Sequence, residues 1–136
     1  MLDMKKVSLF VVLQFIFTIA LADGLEIVDI KRNIPLSESE PVYKDFYIKL
    51  NGRNDLKKNL IVKAVRTIGI KDTSLKPVGD FKTPVGLVKI IQVSDTIAVA
   101  REYKLIPRSD EAMIDQIGIM TGDEIDLAGS YMDEKK

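Results

Sequence analysis

The side chains in this sequence that best suit acid–base chemistry are carboxylates near its C-terminal end. They fall into two groups: Asp110, Glu111 and Asp115, and then Asp123, Glu124 and Asp126. Two neighbouring carboxylates can act as general acid and general base when their surroundings keep one protonated and the other ionised. No companion nucleophile or second base is identifiable in either group. We therefore interpret Asp123 as an acceptor of hydrogen bonds from turn amides, and the other carboxylates as solvated.

The chain contains no histidine and no cysteine. This removes the commonest general base near neutral pH, the commonest metal ligand and the thiol nucleophile. The second carboxylate group also lacks the glycine-centred spacing of a calcium loop. We therefore predict no catalytic residue, no metal site and no cofactor, and a carboxylate-based hydrolase is the weakest of our three hypotheses.

Two pairs of residues are candidates for contact with a partner. Lys57 and Lys58 form a basic pair at a predicted turn, where they could touch an anionic polymer of the cell envelope. Tyr43 and Tyr47 alternate with charged residues along a predicted strand, and aromatic residues are favoured as interface anchors. The alternative interpretations are a solvated turn for the lysines and ordinary cross-strand packing for the tyrosines.

The first 22 residues have the pattern of a secretory signal peptide. Two lysines in MLDMKK precede the apolar run Val7–Ile19, and Ala20-Leu21-Ala22 supplies the small-x-small pattern of a cleavage site. The run is shorter than the roughly 20 residues that a membrane-spanning helix needs. We expect cleavage after Ala22 and export to the periplasm, with no stable transmembrane anchor. An uncleaved anchor and a buried helix are the alternatives.

The length and charge of the chain limit its architecture and its partners. A chain of 136 residues has room for one domain. Its 20 basic and 20 acidic residues balance, which argues against nucleic acid and against a polybasic membrane-binding surface, because both need clustered positive charge. A hydrophobic content of 46% argues against global disorder.

Short segments rich in β-branched residues predict an all-β fold, a small barrel or sandwich of five or six strands. The predicted strands are 24–30, 42–50, 60–67, 85–93, 96–103 and 119–127, and the fourth and fifth form a hairpin around Ser94-Asp95. Residues 69–84 predict a long loop or a ragged hairpin end, and Ser109–Ile117 could form one short helix that ends at Gly118. The predicted organisation is a signal peptide (1–22), an N-terminal strand and loop (23–41), a barrel-like domain (42–128) and a flexible tail (129–136).

Asn51, Asp55 and Asn59 recur every four residues in the segment LNGRNDLKKNLIVK, between two predicted strands. Asn and Asp are the non-glycine residues that best tolerate positive φ. The spacing therefore predicts a compact connection with several left-handed positions, with Leu56 pointing inward. Small residues at 98 and 100 predict close approach of another backbone.

The order of three motifs resembles the C-terminal β-barrel domain of flagellar assembly protein T and related Gram-negative envelope proteins, over residues 43–127. A looser likeness exists to the β-domains of rod-shape-determining protein C. The motifs are LNGRNDLKKNLIVK, TPVGLVKIIQVSDTIAVAR and IGIMTGDEID. The residues that match the family pattern as turn and packing positions are Gly86, Ala98, Ala100, Gly122 and Asp123. Three glycines of its first motif are replaced by Asn51, Asp55 and Asn59, so the family's partner is not carried over.

This resemblance implies a barrel fold and a place in an envelope assembly, such as the flagellar basal body. Our leading hypothesis is a non-enzymatic exported structural or adaptor protein that docks onto a periplasmic complex, with self-association through exposed strand edges as one option. The alternative is a module that binds peptidoglycan, lipopolysaccharide or another ligand through Lys57 and Lys58. Turn and packing motifs are more specific for fold than for function.

Overall fold

The structure is a computed structural model that describes residues 24–134. The predicted signal peptide lies outside the described residues. The described part contains six strands: β1 (Leu25–Arg32), β2 (Lys44–Lys49), β3 (Leu60–Lys71), β4 (Pro77–Val93), β5 (Ile97–Leu105) and β6 (Glu124–Met132). Among these residues no helix is long and apolar enough to cross a bilayer. The prediction of an all-β fold is confirmed.

The six strands are antiparallel and form a closed barrel in the order β1-β2-β5-β4-β3-β6. The ring closes where β6 pairs with β1, with Leu25 opposite Ile125. The backbone amides of Ile27 and Gly122 extend this seam by bonding the carbonyls of Asp123 and Ile27, both at 2.9 Å. Closure of the sheet leaves no free edge along the seam, which settles the architecture as a barrel.

The barrel interior is filled by side chains that alternate along each strand. In β2, Phe46 and Ile48 are fully buried, and they lie opposite Ala100 and Ala98 of β5. The small alanine side chains on this neighbouring strand leave room in the barrel interior for the larger side chains of Phe46 and Ile48. The rest of the main core is Leu25, Ile27, Leu50, Leu56, Val62, Ala64, Val85, Val88, Ile90, Ile114, Ile119 and Ile125. The predicted hairpin of β4 and β5 and the predicted inward position of Leu56 are both confirmed.

Of the two predictions for residues 69–84, a long loop and a ragged hairpin end, the hairpin is confirmed. β3 continues to Lys71, and β4 begins at Pro77, so the segment forms a hairpin with a turn at 72–76. Its glycines and prolines favoured a loop because they weaken a strand inside a sheet. Beyond the barrel both outer edges of this hairpin lack a neighbouring strand within residues 24–134, so a missing proline N–H on such an edge costs no ladder hydrogen bond.

The short helix considered at Ser109–Ile117 does not form. Residues 106–123 are an irregular segment, here called the end loop, whose Ile114 and Ile119 side chains are buried in the core. Its carbonyls accept hydrogen bonds from arginine side chains, as described below. These bonds supply donors to three of its carbonyls, which helical amides would otherwise supply.

The barrel extends further along the chain at both ends than the predicted domain 42–128. β1 belongs to the ring, since it pairs with β2 over Glu26–Arg32. β6 runs to Met132, inside the predicted flexible tail, and pairs Tyr131 with Ile61 of β3. Most side chains in this last segment are exposed. Its polar composition is therefore similar to that of a frayed tail, although it forms a strand.

Candidate functional site

The part of the molecule best placed for contact with a partner is a two-stranded hairpin that projects from the barrel, here called the arm. It consists of Arg66–Lys71 of β3, Pro77–Thr83 of β4 and the turn between them. β3 loses its β6 partner after Val65, and β4 is paired with β5 only from Gly86 onward. The β3–β4 ladder itself continues to Lys71 opposite Pro77. Beyond its base, where Ile68 packs against the core, the arm has two edges without a neighbouring strand among residues 24–134.

One face of the arm is apolar and the other is polar. Ile68 lies opposite Phe81, and Ile70 lies opposite Gly79 on the same face. Thr67 opposite Lys82 and Gly69 opposite Asp80 form the other face. Ile70 is 45% exposed and Phe81 is 38% exposed, so the apolar face is open to solvent. Clustered exposed apolar side chains mark interaction sites more often than scattered ones do.

The tip of the arm is a tight turn organised by Asp72. Its carboxylate accepts hydrogen bonds from the amides of Ser74 and Lys76 at 2.9 and 3.0 Å, and from the Ser74 hydroxyl at 2.9 Å. Its carbonyl accepts the Leu75 amide at 3.0 Å. Leu75 has a φ of 65° and is 77% exposed. A bulky residue in the left-handed region is an outlier, because its Cβ crowds the next carbonyl.

The hydrogen bonds at the tip make its stability depend on pH. Bonds from the Lys76 amide and the Ser74 hydroxyl lower the pKa of Asp72 from its ordinary value. Because the folded-state pKa is lowered, the contribution to stability is complete above the unfolded value of about 3.9 and is lost as pH falls through the folded pKa. We expect an NMR titration of the Asp72 carboxyl carbon to show a midpoint below about 3.9. A midpoint at or above that value would contradict the turn geometry.

Two arginines fasten the end loop to the base of the arm. Arg66 donates to the carbonyls of Gln116 and Gly118 at 2.6 and 2.7 Å. Arg108 donates to the Thr83 hydroxyl at 2.8 Å and to the carbonyls of Pro84 and Ala112. These bonds span the end of the barrel from which the arm projects. They hold the base of the arm in a fixed position relative to the core.

Asp123 lies at the centre of this arrangement and is 1% exposed. Its carboxylate accepts two hydrogen bonds from Arg66, at 2.8 and 2.9 Å, and one from the Met120 amide at 2.9 Å. The bond to a turn amide is the role that the sequence predicted for this residue. Its bidentate pairing with Arg66 satisfies the buried charge, so the carboxylate is structural in its geometry.

The other candidate carboxylates do not gather around Asp123. Glu124 pairs with Lys82 at 3.0 Å on the exposed surface, and Asp126 accepts the Ala128 amide at 3.0 Å. Asp110 and Asp115 are exposed in the end loop and Glu111 is partly exposed. Within residues 24–134 no group of three or more acidic side chains is arranged to hold a metal ion.

A cleft of about 410 Å³ lies between the arm and the end loop. Ile68 and Ile114 line its apolar part, and Met113, which is 73% exposed, lies at its margin. Arg66 and Asp115 add polar groups. A flexible thioether beside an open apolar surface is typical of protein-binding grooves. The cleft was not predicted from the sequence, although the apolar residues Met113 and Ile117 among charged residues could have indicated it.

The two candidate tyrosines lie on the outer face of the barrel and contact cations of their own chain. The Arg101 guanidinium stacks 4.6 Å from the centre of the Tyr43 ring and donates to the Asp45 carboxylate at 2.8 Å. Lys31 lies 5.3 Å from the centre of the Tyr47 ring. Tyr43 is 48% exposed. The geometry thus places both rings at the surface, engaged in cation–π contacts within the chain.

The candidate lysines lie at the opposite end of β3 from the arm. Lys57 and Lys58 are both exposed in the connection that precedes β3, and no ion pair involves either side chain among the described residues. The structure therefore separates the two candidate contact regions, the lysine pair and the arm, by the length of a strand.

The predicted turn residues differ in how they act. Asn51 and Asn59 have φ values of 51° and 73°, and Gly122 has 93°. Asp55 is not among the positive-φ residues of the described chain, so the prediction of a left-handed conformation there is wrong. Its carboxylate instead pairs with Arg53 at 2.7 Å, which lowers the pKa of Asp55. The sequence pattern that predicted a left-handed backbone at Asp55 therefore reflects a local ion pair with Arg53.

Gly86 meets a different requirement, which is space. A Cβ at this position would lie 2.9 Å from the Lys104 carbonyl oxygen and 2.9 Å from Cδ1 of Ile119. The glycine therefore lets β4 approach both its neighbour β5 and the end loop.

No family model, curated protein or solved structure matches this chain.

Proposed function

We propose that this chain is a non-enzymatic docking protein of the bacterial cell envelope, exported to the periplasm, which inserts the tip of its arm into an apolar pocket of a partner protein. The resemblance over residues 43–127 supports an envelope assembly, of which the flagellar basal body is one example. The buried pairing of Asp123 with Arg66 and the dispersal of the other carboxylates support a role without catalysis.

Leu75 is the observation that carries this proposal. A left-handed conformation costs a residue with a Cβ about 1–2 kcal/mol, and turns with such a position favour Gly or Asn. The Leu75 side chain gains little from its own chain, because it is 77% exposed. Strained residues concentrate at functional sites, and exposed apolar anchors are typical of binding surfaces. Contact with a partner explains a leucine here.

Other exposed apolar side chains surround the tip. Val78 is 68% exposed, and Ile70 is 45% exposed on the adjoining apolar face. Both belong to paired strands whose base is fixed by the arginines, so the arm presents them in a defined orientation. A rigid apolar projection of this kind fits a concave apolar site, since little ordering entropy is lost on binding.

Replacing Leu75 with Asn separates docking from stability. We expect the free energy of unfolding to stay unchanged or to rise by about 1 kcal/mol, because Asn tolerates positive φ. Docking is expected to be lost because the apolar contact is removed. Leu36→Asn is the matched control: Leu36 is 92% exposed in the β1–β2 connection, and its replacement should leave docking unchanged.

Docking is measured by placing a photoreactive residue at position 76 in living cells. We expect a discrete adduct with one envelope protein, present with wild-type Leu75 and with Leu36→Asn and absent with Leu75→Asn. No adduct at position 76, or an adduct that survives Leu75→Asn, would overturn the proposal.

The second candidate function, binding of an anionic envelope polymer, is favoured by the exposure of Lys57 and Lys58. It is tested by sedimenting the protein with purified peptidoglycan or lipopolysaccharide at low and high salt. Salt-sensitive binding that Lys57→Glu/Lys58→Glu abolishes would replace the docking function, provided that the arm gives no adduct.

A further inference from the structure

The outer edge of β4 in the arm is a strand edge without a neighbour among the described residues. Towards the barrel this edge is occupied, since the Ile106 amide bonds the Val85 carbonyl at 3.0 Å and Arg108 bonds the Pro84 carbonyl. Farther out, Val78–Lys82 has the β3 ladder on one side alone. A free edge of this kind is a template for pairing with another strand.

The side chains along this edge restrict what can pair with it. Asp80 and Lys82 lie on the polar face and flank Phe81, which lies on the apolar face. Lys82 pairs with Glu124 of its own chain at 3.0 Å, but its side chain is 61% exposed, so its ammonium group stays accessible to a second carboxylate. A charged side chain on an edge discourages pairing with an arbitrary strand, because it must then face an uncharged or like-charged residue. An acceptable neighbour must present the opposite charges in the opposite order.

We infer that the neighbour is a second copy of this chain. When two β4 edges run antiparallel about a two-fold axis at Phe81, Asp80 of each copy lies opposite Lys82 of the other. Two opposite-charge pairs then form on the polar face, and the two Phe81 rings meet on the apolar face. Directly opposite residues of antiparallel strands share a face and interact strongly, and the interface is self-complementary, as two-fold symmetry requires.

The competing arrangements lack this complementarity. A two-fold axis at Asp80 would place the two Asp80 carboxylates directly opposite each other, which is destabilising. A two-fold axis on the other edge of the arm, at Gly69 of β3, would place Lys71 opposite Thr67 and would form no ion pair. The charges of the arm therefore select both the edge and the register.

Pairing in this register has a consequence for the arm. It joins two hairpins into one four-stranded sheet whose apolar face carries Ile70 and Phe81 from both copies. Three or more strands with an apolar face are more stable than an isolated hairpin. This self-association goes beyond the proposed function and does not depend on the identity of an envelope partner.

Charge reversal tests the inference. The protein is purified in the form that cells produce, and its dimer dissociation constant is measured by sedimentation equilibrium at low salt. Asp80→Lys places two lysines opposite each other, and Lys82→Asp places two aspartates opposite each other. Each single variant is expected to raise the dimer dissociation constant about tenfold or more. An equimolar mixture of the two variants restores two opposite-charge pairs and is expected to form heterodimers with near wild-type affinity.

A matched control lies on the other edge. Lys71→Asp makes the same charge change on β3 and is expected to leave the dimer unchanged. The double variant Asp80→Lys/Lys82→Asp is also expected to dimerise, because the opposite charges are merely exchanged. A wild-type protein that stays monomeric, a mixture that fails to associate, or a dimer weakened by Lys71→Asp alone would overturn the inference. Photo-crosslinking to an envelope partner is read separately, so either proposal can fail alone.

Discussion

Replacing Asp123 with alanine is expected to lower the free energy of unfolding by about 3–5 kcal/mol, because it leaves a mostly buried guanidinium without its counter-ion. The Arg66 side chain is only 13% exposed, so water replaces the carboxylate incompletely. The Met120 amide also loses its acceptor. Stabilities of about 5–15 kcal/mol are usual for a domain, so this loss is measurable by urea denaturation and leaves a marginal fold.

The adjacent carboxylate is the matched control. Glu124 pairs with Lys82 at 3.0 Å, but both side chains are largely exposed, at 42% and 61%. Glu124→Ala is expected to cost less than about 1 kcal/mol. In a double-mutant cycle, Arg66→Ala/Asp123→Ala should cost less than the sum of the two single changes, because neither charge is left unpaired. Equal costs for Asp123→Ala and Glu124→Ala would show that burial does not decide the outcome.

The second large effect is expected at Gly86. Gly86→Ala should lower the free energy of unfolding by about 1–3 kcal/mol, since the new methyl group overlaps both a backbone carbonyl and a core side chain. The carbonyl belongs to Lys104 of β5, and Ile119 lies in the end loop. Relief therefore requires β4 and β5 to separate, which a central pair of barrel strands resists.

A glycine-to-alanine substitution is not expected to lower the free energy of unfolding where the added methyl group has free space. Gly79 lies in the arm, where a Cβ would meet nothing within 4 Å. Gly79→Ala is expected to leave the free energy of unfolding unchanged or to raise it by up to about 1 kcal/mol, because alanine restricts the unfolded chain. Thermal and urea denaturation of both variants check the contrast, and a destabilised Gly79→Ala would contradict the open geometry of the arm.

The barrel strands were predictable because each has one buried face. The alternation of Phe46 and Ile48 with more polar neighbours, and of Ala98 and Ala100 with larger residues, follows from the period of two in a half-buried strand. The order of strands around the ring did not follow from this pattern. Burial tells which side chain faces inward, whereas neighbours are chosen by pairing over long sequence separations.

The arm was predicted only as a loop or a ragged hairpin end, because most of its side chains beyond the base are exposed. Its strands carry glycine, proline and charges, which in a sequence have the same composition as a loop. The irregular conformation of the end loop was not predicted, for a related reason. Arg66 donates to its carbonyls from about 50 positions earlier in the chain, and Arg108 joins it to Thr83 and Pro84 of β4, so no local pattern indicates these bonds. Asp123 illustrates the division: its turn role is local and was predicted, whereas its arginine partner lies 57 positions away.

Closure of the barrel joins the first strand of the described chain to the last, which restricts when folding can finish. Until β6 is available, β1 and β3 each expose an unpaired edge, and long-range pairings of this kind form slowly. A nascent chain on the ribosome thus cannot complete its ring before its C-terminal strand has been synthesised.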